Sequence, residues 1–304
     1  MVQFFKNANY NILGYCKIAI IVSISFIVIG VISIVLHKGL NFSVDFAGGT
    51  LVQMKFEKPV KDDLGQIRSA ISELGYGTPE VKTIGPVSNN ELQIMVKKDE
   101  KGAAHSGEIK NALLNGYSQN PFEVQNVETV GPKIGGEMRI DVLIATILAL
   151  IAILIYVGFR FTLPFGVAAI IPLFHDVLIT ITIFSFMGLE ISLPFFAAVL
   201  MIVGYSLNDT IVIFDRIREN LKSGIRGKNF NDIVNGSINQ TLSRTIITSV
   251  TTFFVVLSLY ILGSEAIKDF AFALLIGVIG GTYSTIYIAS SILVWWHKKW
   301  PIAR

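Results

Sequence analysis

The stretch SLPFFAAVLMIVGYSLNDTIVIFDRIREN, residues 192–220, contains the pattern on which the fold depends. Residues 192–208 carry no charged side chain, Asp209 follows, and the chain becomes openly charged only from Asp215 onward. Because the hydrocarbon core of a bilayer is about 30 Å thick, a helix of roughly 20 mostly apolar residues crosses it. The stretch therefore predicts a transmembrane helix that carries a carboxylate close to one end.

The same pattern of long apolar runs extends over most of the chain. Of its 304 residues, 52% are hydrophobic and only 15% are charged, whereas about 25% of an ordinary soluble domain is charged. The composition predicts a polytopic α-helical membrane protein. Six stretches are long enough to cross a bilayer, at about 17–36, 140–159, 164–188, 192–214, 242–262 and 270–296.

The first apolar stretch is longer than the apolar core of a secretion signal, and HKGLNF after it offers no small-residue cleavage site. We therefore expect an uncleaved signal anchor within residues 1–38. The single cysteine, Cys16, has no intrachain disulfide partner. No cysteine or histidine cluster has metal-ligand spacing, so neither a metal nor another cofactor is expected.

The placement of lysine and arginine predicts the topology, because short cytoplasmic loops are enriched in these residues. They accumulate before the first span, in the segment 215–244 and in the tail 297–304. We expect both termini and the loop 215–241 on the cytoplasmic side of the membrane. The charged segment DRIRENLKSGIRG is expected to lie against membrane lipid at the inner leaflet.

Residues 39–139 form the one long segment between predicted spans, and we expect them to fold as an extracytoplasmic domain. TLVQMKF, ELQIMVK and FEVQNVETV alternate as strands do, and apolar residues recur at helical spacing in VKDDLGQIRSAISELGYG. The order β-α-β-β-α-β predicts a ferredoxin-like α+β sandwich. The near balance of acidic and basic residues in this segment argues against a nucleic-acid partner.

Glycines mark both junctions between this domain and the membrane. VDFAGGT contains Asp45, Gly48 and Gly49, and GPKIGG begins with Gly131 and Pro132. A tight entry into a strand explains the first motif without any special function. Glycine at both junctions is also consistent with hinges that let the domain move.

Ionisable groups inside the predicted spans are the candidate functional residues. Asp176, preceded by His175, lies near the middle of the third span; Asn208 and Asp209 lie in the cytoplasmic third of the fourth. Arg244 lies at the cytoplasmic start of the fifth. Placing an aspartate at a helix centre costs roughly 2.5–3.5 kcal/mol, and such groups usually face a bundle interior or a wet cavity.

Structural roles compete with functional ones for these groups. Asp209 and Arg244 have similar depth, so an ion pair that only holds two helices is one interpretation. His175 and Asp176 are also explained by hydrogen bonds between helices, and Arg244 by contact with lipid phosphate. In the functional interpretation, burial opposes the charge on Asp209 while Arg244 favours it, so that a small movement switches the group between holding and releasing a proton.

Five motifs together resemble the SecF family of the bacterial Sec protein-export machinery. They are VDFAGGT, GPKIGG, HDV, GYSLNDTIVIFDRIREN and SRTIITS, in this order from the first span to the last. The resemblance implies a six-span relative of resistance–nodulation–division transporters that uses the proton-motive force to help export preproteins. It also implies SecD, the SecYEG channel, YajC and unfolded preprotein as partners, and a mobile ferredoxin-like domain.

The family's membrane acid and its basic partner match Asp209 and Arg244, while Asp176 is carried over only as a candidate. Two other classes remain open from the sequence. One is a proton-driven efflux transporter of the same superfamily, and the other is an inert structural subunit of a membrane complex. An enzyme is not expected, because the sequence contains no defensible nucleophile arrangement or metal site and no P-loop.

Overall fold

The computed structural model describes residues 8–60, 63–75, 79–84, 89–97, 106–223, 229–263 and 265–302. Six of its helices are long and apolar enough to cross a membrane, which confirms the predicted spans. In chain order the elements are α1 (Ile12–Leu36), α2 (Val44–Ala47), β1 (Gly49–Phe56), α3 (Leu64–Ser72), β2 (Glu80–Ile84), β3 (Glu91–Lys97), α4 (Ser106–Gly116), β4 (Phe122–Val130), α5 (Pro132–Arg160), α6 (Leu163–Met187), α7 (Leu193–Lys222), α8 (Phe230–Leu262), α9 (Glu265–Tyr283), a π-helical segment (Ser284–Ala289) and α10 (Ser290–Lys299).

The sixth span consists of α9, the π-helical segment and α10 in one continuous rod. About half of the most apolar window is buried in α6 and in α7, and 61% in the sixth span, against 6% in α5. These three spans therefore form the centre of the bundle. Large side chains such as Phe165, Phe195 and Phe214 fill the space between the helices.

Several helices extend beyond the bounds of the transmembrane spans that the apolar stretches predicted. α5 begins at Pro132, eight residues before position 140 (140 − 132), and most of the predicted loop 215–241 is helical. The expectation that DRIRENLKSGIRG lies on the lipid surface is wrong for the part up to Lys222, which continues α7; residues 224–228 lie outside the described residues. The reason is packing, because Ile217 and Leu221 are buried in the same apolar cluster as Val234 of α8.

The domain between α1 and α5 has the predicted ferredoxin-like arrangement. Its antiparallel sheet has the order β2-β3-β1-β4, so that β1 is paired on both sides. α3 and α4 supply Ile67, Ile71, Ile109 and Leu113, which are completely buried with the apolar side chains of the strands. This domain therefore has its own core, separate from the cores of the membrane helices.

Candidate functional site

Asp209 is a buried carboxylate on α7 with incomplete hydrogen bonding. Its residue is 3% exposed, and its Oδ2 atom makes no hydrogen bond to any described residue. The helix holds it in place through its neighbours, because Thr210 and Ile213 pack into the bundle on the same segment. A buried carboxylate oxygen without a donor is costly, and such groups in membrane helices are typical of ion and proton pathways.

Three side chains of α8 form the electrostatic surroundings of Asp209: Arg244, Thr248 and Ser249. The two hydroxyl groups are already engaged elsewhere. Thr248 Oγ1 donates to the carbonyl oxygens of Arg244 and Thr245, at 3.0 and 2.9 Å. Ser249 Oγ lies 2.8 Å from the Thr245 carbonyl oxygen. Both hydroxyls nevertheless act on the carboxylate and favour its charge, and Ser249 Oγ also lies 2.7 Å from Thr282 Oγ1.

The predicted ion pair between Asp209 and Arg244 is not formed. The described residues contain no Asp209 ion pair within 4.0 Å, although the two charges interact electrostatically. The difference follows from the environment, since Arg244 is exposed at the surface of α8 while Asp209 is buried. An interpretation in which a fixed ion pair holds α7 and α8 together is therefore not supported.

Two further buried oxygen atoms lack hydrogen bonds in the same region, as far as the described residues show. They are the hydroxyl of Tyr205, one turn before Asp209, and Oγ1 of Thr245 on α8. The negative charge of Asp209 interacts electrostatically with the phenol group of Tyr205. The oxygens of Tyr205 and Asp209, together with the hydroxyls of Thr248 and Ser249 that act on both, thus form a polar region between α7 and α8, which we call the α7–α8 polar cluster.

Asn208 and Gly204 lie beside this cluster but at the surface of the chain. Both are exposed, and a Cβ atom at Gly204 would meet nothing within 4 Å. Together with Arg244 they give α7 and α8 a polar, open strip within the membrane-spanning segments. Asn208 does not share the buried face of Asp209, because adjacent residues on a helix point about 100° apart.

Asp176 on α6 differs from Asp209 in its hydrogen bonding. The residue is 1% exposed, and both of its carboxylate oxygens are hydrogen-bonded. Oδ2 accepts hydrogen bonds from Ser206 Oγ of α7 at 2.6 Å and from Ser284 Oγ at 2.9 Å. Oδ1 lies 3.0 Å from Nδ1 of His175. This carboxylate therefore ties α6, α7 and the sixth span together.

The hydrogen bonds of Asp176 continue along α7 toward Asp209. Thr210 Oγ1 donates to the Ser206 carbonyl oxygen at 3.1 Å and lies 2.9 Å from Thr285 Oγ1. Ser284 and Thr285 open the π-helical segment. π-helical turns inside longer helices occur frequently at functional sites. No local signal in the sequence marks Ser206, Thr210, Ser284 or Thr285 as members of this network.

The junction residues predicted as hinges have defined positions. Gly48 and Gly49 have φ of 74° and 149°, in the range that favours glycine, where α2 turns into β1. Gly131 caps α5 in an extended conformation, and Pro132 is its first residue. Asp45 of α2 reaches the start of α7, where its Oδ2 accepts a hydrogen bond from the Leu193 N–H at 3.3 Å.

Among the residues that the structure describes, no group of three or more histidine, cysteine or carboxylate side chains could hold a metal ion.

Comparison with known proteins places these residues in a family. Residues 109–299 match the family model of the SecD/SecF protein export membrane protein, C-terminal part, and residues 33–60 match the SecD/SecF GG motif. The chain belongs to the SecF family of protein translocase subunits. Gly48 and Gly49 lie within the matched GG motif, and Asp176, Asp209 and Arg244 lie within the C-terminal match.

Relatives of this SecF-family chain match over nearly their full length. The protein translocase subunit SecF of Calditerrivibrio nitroreducens is 44% identical over 96% of this chain and 97% of its own. That of Desulfurispirillum indicum is 45% identical over 93% and 88%. The crystal structure of SecDF, a translocon-associated membrane protein from Thermus thermophilus, matches with a TM-score of 0.81 and 36% identity. It covers 96% of this chain, which spans 39% of that longer chain.

Proposed function

We propose that this translocase subunit uses the proton-motive force to promote protein export across the bacterial cytoplasmic membrane, with Asp209 as the proton-carrying carboxylate. The observation that carries the proposal is the buried Oδ2 atom of Asp209, which has no hydrogen bond among the described residues. A proton can bind to such an atom without first displacing a donor. Each proton that crosses the membrane releases about 2.3 kcal/mol per 100 mV.

Arg244 biases the charge state of Asp209 in this proposal. Its exposed guanidinium acts on the carboxylate from a distance rather than as a tight pair. A tight pair would hold Asp209 in the charged state, whereas a distant cation lets the group bind and release a proton as the helices move. Asn208 is exposed and directly precedes Asp209 in the chain, and we assign to it the entry side of the relay.

We assign a structural role to His175 and Asp176. Asp176 accepts two short hydrogen bonds from serines of two other spans and contacts His175. Protonation of this carboxylate would disturb three contacts at once. The number of its partners therefore favours a fixed state, and the proton relay runs through Asp209.

The open polar strip beside the α7–α8 polar cluster supports a membrane partner. Exposed Asn208 and Arg244 would contact lipid hydrocarbon if this chain stood alone, which is costly. A second membrane subunit that covers α7 and α8 removes this cost. SecD is the partner we propose. In this proposal the two form a SecDF assembly, which associates with SecYEG and YajC and acts on unfolded preprotein.

The orientation follows from the charged ends of the helices. The cytoplasmic ends carry Arg160 and Asp215, whose side chains form an ion pair, and Lys298 and Lys299 in the last turn of α10. Basic residues at these ends are typical of the cytoplasmic side. We therefore propose that both termini lie in the cytoplasm and that the ferredoxin-like domain lies outside, where it receives the emerging chain.

Translocation in membrane vesicles tests the proposal. Vesicles with the wild-type complex or with Asp209→Asn are compared with and without an uncoupler, and co-purification with SecD checks assembly. The matched control is Asp215→Asn, which removes a carboxylate from the same helix outside the apolar region. We expect Asp209→Asn, and not Asp215→Asn, to lose the uncoupler-sensitive part of translocation. A fully assembled Asp209→Asn complex that keeps this part would contradict the proposal.

A further inference from the structure

The segment between α1 and β1 is attached to the extracytoplasmic ends of the membrane helices. The Ser43 N–H donates to the Ile191 carbonyl oxygen at 3.0 Å, and the Ile191 N–H donates to the Asn41 carbonyl oxygen at 2.7 Å. Asn41 Nδ2 also donates to the Gly188 carbonyl oxygen at 3.1 Å. Residues 41–48, which we call the strap, therefore lie against the turn that joins α6 to α7.

Asp45 of the strap completes the N-terminus of α7. The first N–H groups of a helix have no partner within the helix, and its N-terminus favours negative charge. Leu193 is the first residue of α7, and its N–H donates to Asp45 Oδ2 at 3.3 Å. Pro194 has no N–H, and the Phe195 N–H donates to Ser192 Oγ at 3.4 Å. A side chain far away in sequence thus satisfies the leading donor of the helix that carries Asp209.

The strap is held from a second direction by α5. Arg139 Nη2 donates to the Phe46 carbonyl oxygen at 2.7 Å, and its guanidinium lies 4.4 Å from the ring centre of Phe42. A Cβ atom at Gly135 would lie 3.1 Å from the Phe46 oxygen and from the Gly48 nitrogen. Glycine at this position therefore allows the close approach of α5 to the strap.

The strap continues directly into the middle of the extracytoplasmic sheet. β1 begins at Gly49, one residue after the strap ends, and pairs with both β3 and β4. A displacement of the strap therefore acts on the central strand of the domain. At the other end, Asp209 lies sixteen positions after Leu193 (209 − 193), which is about 24 Å along one helix at a rise of 1.5 Å per residue.

We infer that Asp45 is a positioning residue that couples the extracytoplasmic domain to α7, so that a movement of α7 caused at Asp209 reaches β1 through the strap. The inference rests on the proposed function for the part that concerns Asp209. The half-buried Asp45 holds Ser43 and Leu193 with one oxygen atom, at 3.1 and 3.3 Å. This contact links the strap directly to the first residue of α7, whereas the Asn41 side chain and the backbone hydrogen bonds of Ser43 and Ile191 link it to the turn before α7.

Distance measurements on the assembled, reconstituted complex with SecD test the inference. Spin labels are placed at Glu123→Cys on β4 and Leu262→Cys at the end of α8, both exposed positions. The native Cys16 is buried, so labelling is directed to the introduced residues. Asp45→Ala is expected to broaden the distance distribution between the labels. Asp45→Asn keeps an acceptor oxygen and is expected to restore most of the wild-type distribution.

The same labels separate the inference from the proposed function. With Asp45 intact, Asp209→Asn is expected to shift the mean distance, and with Asp45→Ala this shift is expected to disappear. A distribution that Asp45→Ala leaves unchanged, or a shift that survives it, would overturn the inference. If Asp209→Asn causes no shift while Asp45→Ala still broadens the distribution, the positioning role of Asp45 stands and the coupling to Asp209 is refuted.

Discussion

Two aspartates on neighbouring helices of one bundle, Asp176 and Asp209, are similarly buried within the protein but have different hydrogen-bond partners. They are 1% and 3% exposed. Asp176 accepts hydrogen bonds from Ser206 and Ser284 and contacts His175. Asp209 has an oxygen with no partner among the described residues, beside hydroxyl groups that donate to their own helix. Burial alone therefore does not distinguish a structural carboxylate from a functional one.

The two aspartates differ in the free energy that a change of charge state would cost. A carboxylate with donors on both oxygens is stabilised in one state, and a change of that state leaves several groups unsatisfied. Asp209 has one oxygen without a partner among the described residues and no ion pair with Arg244, so fewer contacts hold it in one charge state. The first arrangement suits a fixed connection between helices, and the second suits a group that must change its charge during a cycle.

Asp176 and Asp209 also differ in their positions in the helix bundle. Asp176 lies where α6, α7 and the sixth span meet. Asp209 lies near the side of α7 and α8 where Asn208 and Arg244 are exposed. Asp176 is thus enclosed by its own chain, whereas Asp209, the proposed proton carrier, is next to a surface that the proposed partner subunit would cover.

The largest effect on stability is expected from Asp176→Ala. It leaves two serine hydroxyls and His175 without their acceptor and opens a cavity. Hydrogen bonds between membrane helices contribute about 0.6–1.7 kcal/mol each, so a loss on the order of 3 kcal/mol in the free energy of unfolding is expected. Asp209→Ala should cost less than about 1 kcal/mol, because its Oδ2 leaves no donor unpaired. Thermal unfolding of the purified complex measures both, and equal losses would remove the distinction between them.

A functional effect of intermediate size is expected at Arg244. Because no tight ion pair exists, Arg244→Lys keeps the distant positive charge and should retain most of the gradient-dependent translocation. Arg244→Gln removes the charge and should reduce that step at least tenfold, about 1.4 kcal/mol. The vesicle assay measures both variants. A lysine variant as inactive as the glutamine variant would show that Arg244 needs its fork-shaped geometry, as in a bidentate pair.

A smaller effect is expected from a matched pair of serines in the sixth span. Ser284 donates to Asp176, whereas the buried hydroxyl of Ser290 has no hydrogen-bond partner within the described chain. Ser284→Ala should destabilise the complex by about 0.6–1.7 kcal/mol, and Ser290→Ala should be neutral or slightly stabilising. Thermal unfolding of the two variants side by side measures the difference. Equal values would mean that the contact between Ser284 and Asp176 contributes nothing.

Much of the fold was predictable because it depends on composition and periodicity. The apolar runs gave the six spans, and the alternation in residues 39–139 gave the order of the ferredoxin-like domain. The ends of α7 and α8 were not predictable, because a charged amphipathic segment is compatible with a membrane surface as well as with a helical hairpin. Only the burial of Ile217 and Leu221 against α8 decides between them.

The candidate site was predictable in its charged residues and not in their partners. A charge in an apolar run identified Asp176, Asp209 and Arg244. Serines in membrane helices usually hydrogen-bond to their own backbone, so no local signal showed that Ser206 and Ser284 donate to Asp176. The contact of Asp45 with α7 joins residues 148 positions apart, and it depends on how the strap folds back.

The most direct test of this distinction is the charge state of each carboxyl group. Infrared difference spectroscopy of the reconstituted complex, recorded while the pH is changed, detects the carbonyl band of a protonated carboxylic acid. The distinction predicts one membrane-embedded carboxyl band that appears on acidification, is lost in Asp209→Asn and is kept in Asp176→Asn. A band that persists in Asp209→Asn and disappears in Asp176→Asn would contradict it and would move the proton site to the hydrogen-bonded aspartate.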